Sequence, residues 1–420
     1  MKKPRCFPAT SSAPVAAIDV GTTKVCCYIA KPDSSGAPRV VGIGHQISRG
    51  VKNGVIIDIE AASHSIATAV NAAEQMAGEQ ITEAVVNISG AIGASRLVKA
   101  EIAVNGRDIG DHDMRRVLEL GYRVKEPSDR TVIHSVPVGF SIDGSRGIRD
   151  PRGMFGHKLA VNMNIVTASS SGLRNLTSCI GRCHLEIAAL VASPYAAGLA
   201  ALVDDESELG VTVIDMGGGT TTIAVFFDGN LVFTDCVPVG GHHVTNDIAR
   251  GLSTPIAHAE RMKTLYGSAI TSPSDEREMI SVPQIGEEDD GQANHVPKSL
   301  LVGIIAPRLE ETFELARDRL EQSGFDKLVG RRIVLTGGAC QLPGARELAA
   351  LILDKQIRVG RPLRIAGLAE ATNGPAFATT AGLVHFALSE RAELPRHGRA
   401  LTEEPDGLFG RVGHWIREYF

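Results

Sequence analysis

One short pattern occurs twice in this chain of 420 residues. In each copy an apolar strand ends in an aspartate, a turn of glycine and threonine follows, and a second apolar run resumes. The first copy has Asp19 and a turn at 21–24, and the second has Asp215 and a turn at 216–221. The two aspartates are 196 positions apart, which is too far for a solenoid repeat and indicates one domain plan used twice.

The residue types in these turns suit a phosphate-binding site. Glycine in a tight turn lets backbone N–H groups approach a phosphate closely, and threonine hydroxyls and a lysine add donors and positive charge. An aspartate at a strand end can hold Mg²⁺ through water, because Mg²⁺ keeps much of its hydration shell. The candidate phosphate ligands are Gly21, Thr22, Thr23, Lys24, Gly217, Gly218, Gly219, Thr220 and Thr221, with Asp19 and Asp215 as candidates for the metal as well as the nucleotide.

A single copy of the motif would be a weak signal, because a strand that ends in aspartate before a turn is also a plain β-hairpin. Two copies with matched flanks change the balance, since the hairpins can face each other across a cleft. They would then hold the β- and γ-phosphates of a nucleotide between them and bring both carboxylates to one metal ion. The duplication therefore predicts a nucleotide-binding cleft between two similar lobes.

Two further segments are candidates for binding the nucleoside. Gly337 and Gly338 follow an apolar strand at 332–336, where a glycine pair lets a flat base or a ribose lie against the backbone. Glu260 and Lys263 are three residues apart, so in a helix they share one face. The carboxylate there can accept hydrogen bonds from ribose hydroxyls, and a solvated ion pair with no ligand is the alternative.

Composition argues against several other classes of protein. A net charge of −5 provides no overall basic surface for nucleic acid. The seven cysteines are few and scattered, as expected of free thiols in a reducing compartment, and Cys179 and Cys183 lack a second ligand pair at zinc-site spacing. We find no long apolar segment of a secretory signal and no apolar run of the roughly 20 residues that a membrane-spanning helix needs. We therefore expect the body of the protein to be cytoplasmic.

The residues at 408–420 are a separate candidate. As an α-helix at about 100° per residue, they would place large apolar side chains on one arc and arginine on the other side. Such a helix would be about 20 Å long, too short to cross a hydrocarbon core of about 30 Å, but suited to the membrane interface. The polar segment at 391–407 predicts a linker before it, and docking on the protein's own core is the alternative. The membrane-facing candidates are Leu408, Phe409, Val412, Trp415, Ile416, Tyr419 and Phe420.

The paired hairpins, the glycine pair and a linking segment at 193–198 resemble the actin, Hsp70 and sugar-kinase superfamily. Within it, the chain resembles FtsA, the actin-like family of cell-division proteins, over roughly residues 14–390 and the terminal helix. The stretches that carry this likeness are 43–56, 87–90, 134–154 and 208–211.

The resemblance implies an α/β fold of two actin-like lobes, which are duplicated RNase H-like domains, with an FtsA-type inserted sub-lobe. The implied segments are a flexible N-terminal extension (1–13), lobe 1 or 1A (14–86 and 162–196), an inserted, SHS2-like sub-lobe or 1C (87–161), lobe 2 or 2A (197–240 and 331–390), sub-lobe 2B (241–330), a linker (391–407) and an amphipathic membrane-targeting helix (408–420).

The resemblance also implies a function. Members of the family bind ATP with Mg²⁺, polymerise on the cytoplasmic face of the cell inner membrane at the division site, and anchor the tubulin-like FtsZ by its C-terminal tail. The implied partners are FtsZ, further copies of this chain, inner-membrane lipids and later division proteins, the last through the inserted sub-lobe, with no nucleic acid. Arg308 matches a basic position of the groove for the FtsZ tail, and a plain surface charge is the alternative.

Ser193 departs from related chaperones and filaments, in which a glutamate precedes the linking proline and helps to position the attacking water. A serine cannot act as a carboxylate base at neutral pH, so we expect at most weak ATP hydrolysis and a mainly structural, tethering role. Three alternatives share the fold: a PilM-like type IV pilus assembly protein, a sugar-kinase-type phosphotransferase and an Hsp70-type chaperone. The amphipathic tail favours the FtsA resemblance over all three.

Overall fold

The computed structural model describes residues 14–34, 36–286, 294–327 and 329–389. The predicted N-terminal extension, the linker and the terminal amphipathic helix with its seven membrane-facing candidates lie outside the described residues. No helix in the described ranges is both long enough and apolar enough to cross a membrane.

The strands, in chain order, are β1 (Val15–Val20), β2 (Lys24–Pro32), β3 (Pro38–Ile47), β4 (Val51–Lys52), β5 (Val55–Ile56), β6 (Glu83–Ile88), β7 (Arg96–Asp108), β8 (Arg130–Ile142), β9 (Ser145–Ile148), β10 (Phe155–Ser169), β11 (Glu186–Ala192), β12 (Val211–Met216), β13 (Thr221–Phe227), β14 (Asn230–Val237), β15 (Met279–Val282), β16 (Asn294–Pro297), β17 (Arg332–Thr336) and β18 (Gln356–Val359). The α-helices are α1 (Ile59–Ala77), α2 (Asp111–Tyr122), α3 (Ser170–Arg182), α4 (Ser193–Ala201), α5 (Asp204–Leu209), α6 (Gly241–Gly251), α7 (Ile256–Tyr266), α8 (Lys298–Ser323), α9 (Ala345–Leu353) and α10 (Ala378–Leu388).

Two five-stranded sheets share one plan. Their strand orders are β11-β6-β1-β2-β3 and β14-β13-β12-β17-β18. In each sheet the strand that carries the aspartate pairs antiparallel with the next strand and parallel with a later one: β1 with β2 and β6, β12 with β13 and β17. This matched topology confirms the internal duplication that the sequence predicts.

Helix α1 shows how the local sequence sets the bounds of an element. The side chain of Asp58 accepts hydrogen bonds from the backbone N–H groups of Glu60 and Ala61, which satisfies two donors at the helix start. The helix ends before Gly78, whose φ of 70° lies in the left-handed region that favours glycine. Apolar residues at helical spacing predict a helix at 60–77 with Gly78 as its stop, and the structure confirms it.

The central strands are buried on both faces. All six residues of β1 are buried, and one large apolar core extends from the first sheet across α4 and α10 to Phe226 and Val334 of the second. A second core lies on the other face of the second sheet, beneath α6, α7, α8 and α9. Continuous apolar strands are what a sheet covered on two sides requires.

Helices α4 and α10 each follow the strands of one sheet in the chain and pack on the other sheet. Helix α4 follows the last strand of the first sheet but packs on β12 and β13 of the second, whereas α10 packs on β1, β2 and β6 of the first. The helices contact each other so closely that a Cβ built on Gly382 of α10 would lie 1.7 Å from the carbonyl oxygen of Ala196 in α4. The lobes are therefore joined through small residues at a helix crossing.

The inserted sub-lobe has its own four-stranded antiparallel sheet, in the order β7-β10-β8-β9, and its own small core under α2. The glycine-rich, charged sequence at 146–158 predicts a loop, and this prediction is wrong at both ends, because β9 and the start of β10 lie there. Asp143 and Gly144, with φ of 49° and 90°, form a two-residue turn between paired Ile142 and Ser145. An Asp-Gly pair is a strong hairpin signal, which the glycine-rich, charged surroundings hid.

Three hydrogen bonds hold the inserted sub-lobe on edge strand β14 of the second sheet. Ser95 N donates to the carbonyl oxygen of Thr234, and Thr234 N donates to Ser95 Oγ, both at 2.8 Å. The buried Asn164 donates from Nδ2 to the carbonyl oxygen of Leu231 at 3.0 Å. The chain enters and leaves the sub-lobe from the first sheet. These hydrogen bonds attach the sub-lobe to the second sheet as well.

The segment at 241–330, which the resemblance assigns to sub-lobe 2B, contains α6, α7, α8 and the short hairpin β15-β16. The polar, partly acidic sequence at 268–297 predicts an irregular centre. The structure places the paired strands β15 and β16 within this range, on the two sides of 287–293, which lie outside the described residues. The sequence also predicts a strong helix at 300–320, and the structure confirms it as part of α8.

Candidate functional site

The two glycine-threonine turns lie face to face. A Cβ built on Gly218 would be 2.3 Å from Thr23 Cγ2, and one on Gly219 would be 2.4 Å from Thr22 Oγ1. Real Cβ atoms do not approach other atoms this closely, so the second turn needs glycine because of contact with the first turn. The hairpins therefore meet as the sequence predicts, with no room for larger side chains between them.

A cavity of about 470 Å³ lies at the paired turns. Pockets for small molecules and cofactors span roughly 300–1,000 Å³, so the volume suits a nucleotide. The structure brings nearly all of the sequence-predicted site residues to its wall. These are Asp19, Gly21, Thr22, Thr23, Lys24, Asp215, Gly217, Gly218, Gly219, Thr220, Glu260, Lys263, Gly337 and Gly338.

Thr221 is the exception. It is fully buried, and its hydroxyl donates to the carbonyl oxygen of Val239 at 2.8 Å. Successive residues of a strand point to opposite faces, and Thr222 lines the cavity instead. The buried Thr222 Oγ1 has no hydrogen-bond partner among the described residues. The structure therefore corrects the prediction for Thr221 by one residue.

The two strand-end aspartates are held by three side chains from two other elements, β6 and α10. Asn87 Nδ2 donates to Asp19 Oδ1 at 2.7 Å, and Thr380 Oγ1 donates to Asp19 Oδ2 at 3.3 Å. Thr379 Oγ1 donates to Asp215 Oδ2 at 2.9 Å. Sequence reasoning missed the roles of all three donors. Asn87 stood out only as part of a stretch that resembles a family, and the threonines carried no local signal.

The electrostatics of the cleft fit a cation. Desolvation by burial raises the pKa of Asp19 and raises the pKa of Asp215 to about 6, while the neighbouring Lys24 opposes both shifts. Burial in turn lowers the pKa of Lys24. One ammonium group cannot neutralise two buried carboxylates, and carboxylate oxygens are the ligands that Mg²⁺ prefers. The residues present therefore fit a hydrated Mg²⁺ ion near Asp19 and Asp215.

Lys24 reaches across to the segment before α10. Its Nζ donates to the carbonyl oxygen of Ala376 at 2.5 Å and lies 3.2 Å from the centre of the Phe377 ring. A cation over an aromatic face is attracted to it, so this position is favourable without a ligand. Lys24 links the first turn to the start of α10 at the wall of the cleft.

On the side of the cleft where the nucleoside is predicted to bind, hydrogen bonds connect α7 to α6. Lys263 Nζ donates to Glu260 Oε2 at 2.7 Å and to Thr245 Oγ1 at 2.8 Å. Gly337 has a φ of 86°, and a Cβ there would lie 2.4 Å from Asp215 Oδ1. Backbone conformation and close contact with the aspartate both require glycine at this position.

Ser193 lies at the wall of the cleft, at the start of α4. Its buried hydroxyl donates to the carbonyl oxygen of Ile88 and accepts from Asn87 Nδ2, each at 3.0 Å. Both hydrogen bonds hold this side chain within the protein. No carboxylate occupies this position.

Arg308 does not contribute to the cleft. It lies on α8, and its guanidinium pairs with Asp247 of α6 and with Glu311 one turn further along α8. These partners raise the pKa of Arg308 above its ordinary value, with Asp247 making the largest contribution. Arg308 is thus a half-buried, neutralised charge of sub-lobe 2B.

Comparison with family models identifies two parts of the chain. Residues 212–382 match the model described as "Cell division protein FtsA", and residues 90–167 match "SHS2 domain inserted in FTSA". The second match coincides with the four-stranded sheet and helix of the inserted sub-lobe.

Solved structures share the fold at low sequence identity. The "PilM-PilN type IV pilus biogenesis complex" matches with a TM-score of 0.63 at 16% identity, covering 90% of this chain and 100% of that chain. MreB 5 of Spiroplasma citri bound to AMPPNP matches with a TM-score of 0.53 at 15% identity, covering 89% of this chain and 95% of that one. These likenesses confirm the α/β, actin-like two-lobed fold and carry no further argument about function.

Curated relatives match over nearly the whole length. The "Cell division protein FtsA" of Rhizobium meliloti (strain 1021) is 48% identical over 99% of this chain and 96% of its own length. The protein of the same name from Pseudomonas aeruginosa is 35% identical over 97% of this chain and 98% of its own length. The chain therefore belongs to the FtsA family of actin-like cell division proteins.

Proposed function

We propose that this chain binds ATP with Mg²⁺, polymerises on the cytoplasmic face of the cell inner membrane at the division site, and tethers the FtsZ ring there. It would also help to recruit later division proteins through the inserted sub-lobe. The observation that carries the proposal is the convergence of two duplicated hairpins on one cleft, in a member of the FtsA family.

The nucleotide would bind in the cavity that the paired turns line. Backbone N–H groups of the glycine-rich turns and the hydroxyls of Thr22 and Thr23 are suited to phosphate oxygens. Asp19 and Asp215 would hold the waters of Mg²⁺, which when bound neutralises phosphate charge. Gly337, Gly338 and the exposed part of Glu260 would contact the nucleoside.

ATP would act mainly as a ligand that favours one conformation and polymerisation. Ser193 offers a hydroxyl that already donates to Ile88, and Asn87 is an amide that donates to Asp19. Neither side chain can accept a proton from an attacking water at neutral pH, so hydrolysis would be slow.

The membrane contact would come from the amphipathic sequence at 408–420. One short amphipathic helix binds a membrane only marginally, as a single lipid chain does. Many helices on one filament raise the effective concentration at the surface, so polymerisation and membrane binding would reinforce each other. The tail of FtsZ would bind sub-lobe 2B, where Arg308 is the candidate basic contact.

Co-sedimentation with anionic lipid vesicles in the presence of ATP tests the proposal. The full chain should pellet with the vesicles, and a chain truncated after Asp406 should stay in the supernatant. Two point variants of the full chain separate the faces of the helix: Trp415→Asp on the apolar arc should release the protein, and His414→Asn on the polar side should not. If the full chain and the truncation both stay in the supernatant, the membrane role is overturned, and a phosphate-transfer assay addresses the kinase alternative.

A further inference from the structure

Two consecutive threonines contact the carboxylates of both lobes. Thr379 donates to Asp215, at the end of the strand in the second sheet, and Thr380 donates to Asp19, at the end of the matching strand in the first. Both threonines lie in the first turn of α10, and their exposed fractions are 6% and 0%. One helix end therefore supplies a hydroxyl to each half of the duplicated motif.

The geometry of a helix allows this double contact. Neighbouring side chains in an α-helix point about 100° apart, so consecutive hydroxyls can reach two different sheets. The body of α10 is fixed by its packing on the first sheet and by the crossing of Gly382 with α4. Threonine in a helix divides between two χ1 rotamers, and here the hydroxyl directions are those that reach the two aspartates.

These contacts restrict the orientation of both carboxylates. Asp19 has a donor on each oxygen, Asn87 on Oδ1 and Thr380 on Oδ2. Asp215 has Thr379 on Oδ2, while its Oδ1 faces the space that glycine leaves open at Gly337. A carboxylate that is held by buried donors keeps one direction toward the cleft.

We propose that Thr379 and Thr380 are positioning residues that hold the carboxylates of the two lobes in register for a single Mg²⁺–nucleotide complex. This inference rests on the proposed nucleotide function and deepens it. Because both donors belong to α10, the helix links the metal-facing groups of one lobe to those of the other. Thr379 lines the cavity and Thr380 is fully buried, and both act through the aspartates to which they donate.

Isothermal titration calorimetry of ATP into the full chain, with Mg²⁺ and then with EDTA, tests this role. Thr379→Val and Thr380→Val keep the side-chain shape and remove the hydroxyl. Each should weaken ATP binding by about tenfold with Mg²⁺, the usual effect of losing one hydrogen bond to a charged group, and should change the affinity in EDTA little. Thr379→Ser and Thr380→Ser should retain the wild-type ratio of the two affinities.

A matched control comes from Thr312 of α8. It is 2% exposed, and its hydroxyl donates to the carbonyl oxygen of Arg308 one turn earlier, away from the cleft. Thr312→Val should leave both affinities unchanged. Equal losses with and without Mg²⁺ in the Thr379 and Thr380 variants would show a merely structural role and overturn the inference.

A double-mutant cycle provides a second test. In an Asp215→Asn background, Thr379→Val should have little further effect on the Mg²⁺-dependent affinity, because its acceptor is already changed. A full tenfold additional loss there overturns the inference.

If a valine variant does not fold by circular dichroism, the alanine variant replaces it in the same comparison. Absence of Mg²⁺-dependent ATP binding in the wild type would instead refute the proposed function.

Discussion

Asn87 Nδ2 lies 2.7 Å from Asp19 Oδ1, across two adjacent strands of the first sheet. The same side chain accepts from the backbone N–H of Val20 at 2.7 Å through its Oδ1, so both ends of the amide are used. The aspartate of the first motif is therefore held by the strand next to it as well as by α10.

Replacing Asn87 with alanine removes this link. The N–H of Val20 and one oxygen of Asp19 would lose their buried partner, and an unsatisfied buried polar group costs about 1–3 kcal/mol. We therefore expect Asn87→Ala to lower the free energy of unfolding by at least that order, as measured by urea denaturation.

Asn71 offers the control for this change. It lies on an exposed face of α1, where an alanine should alter the free energy of unfolding by no more than about 0.5 kcal/mol. Equal stability of the Asn87→Ala and Asn71→Ala variants would show that the amide contributes nothing to the fold around Asp19.

The site could be predicted from the sequence where its residues are close in the chain. Asp19 and Asp215 each belong to a strand and turn of a few residues, and the repetition of that motif indicated a cleft. Thr379 and Thr380 could not be found in this way, because they are 164 and 361 residues from the aspartates they contact. Only the folding of α10 onto both lobes brings them there.

Errors of local register also limited the prediction. A one-residue difference decides which side chains of a strand face the cleft, so the sequence predicts Thr221 as a ligand although Thr222 lines the wall. The turn at Asp143 and Gly144 was missed because charged and glycine-rich neighbours resemble a loop in composition. The paired strands and their register settle both cases.

Close contact between α4 and α10 makes Gly382 a sensitive position. An alanine there would place its Cβ 1.7 Å from the carbonyl oxygen of Ala196, so the helices must move apart. Overpacking in a core typically costs about 1–3 kcal/mol, and we expect Gly382→Ala to lose at least that much stability. Thermal unfolding monitored by circular dichroism measures the change in unfolding temperature.

Gly303 is the matched position in another helix. It lies in the exposed part of α8, and a Cβ there would meet no atom within 4 Å. Alanine is a better helix former than glycine, so Gly303→Ala should be neutral or stabilise by up to about 1 kcal/mol. If Gly382→Ala unfolds at the same temperature as Gly303→Ala, the tight crossing is absent in solution.

The inserted sub-lobe should lose stability in acid through Asp113. Its buried carboxylate accepts two hydrogen bonds from Arg107, each at 2.7 Å, and one from Gly110 N at 3.1 Å. The Arg107 hydrogen bonds are the largest cause of a pKa below the ordinary value for Asp113. A carboxylate whose pKa is lower in the folded state stabilises the fold at pH values above its unfolded pKa of about 3.9. This stabilisation is lost as the pH falls through the pKa of the folded state.

Asp113→Asn should therefore be less stable than the wild type at pH 7, and the difference should shrink at about pH 3. Urea denaturation at the two pH values measures it. The exposed Asp318 of α8 provides the control, since Asp318→Asn should show little difference at either pH. A stability gap for Asp113→Asn that is the same at both pH values would contradict the assignment.

Arg308 allows a test of the proposed FtsZ contact that keeps the nucleotide cleft intact. Its charge is already paired with Asp247 and Glu311, so an incoming peptide carboxylate would have to compete with them. Replacing Arg308 with alanine leaves two acidic groups without their partner, which adds repulsion toward a carboxylate of the peptide. We expect Arg308→Ala to weaken binding of a fluorescent FtsZ C-terminal peptide by about tenfold, as for other charged interface contacts.

Arg319→Ala changes an arginine further along α8 that is half exposed and 3.8 Å from Asp235, and it should bind the peptide as the wild type does. Fluorescence anisotropy with both variants decides the question: if Arg308→Ala and Arg319→Ala bind equally well, the tail binds elsewhere on the protein.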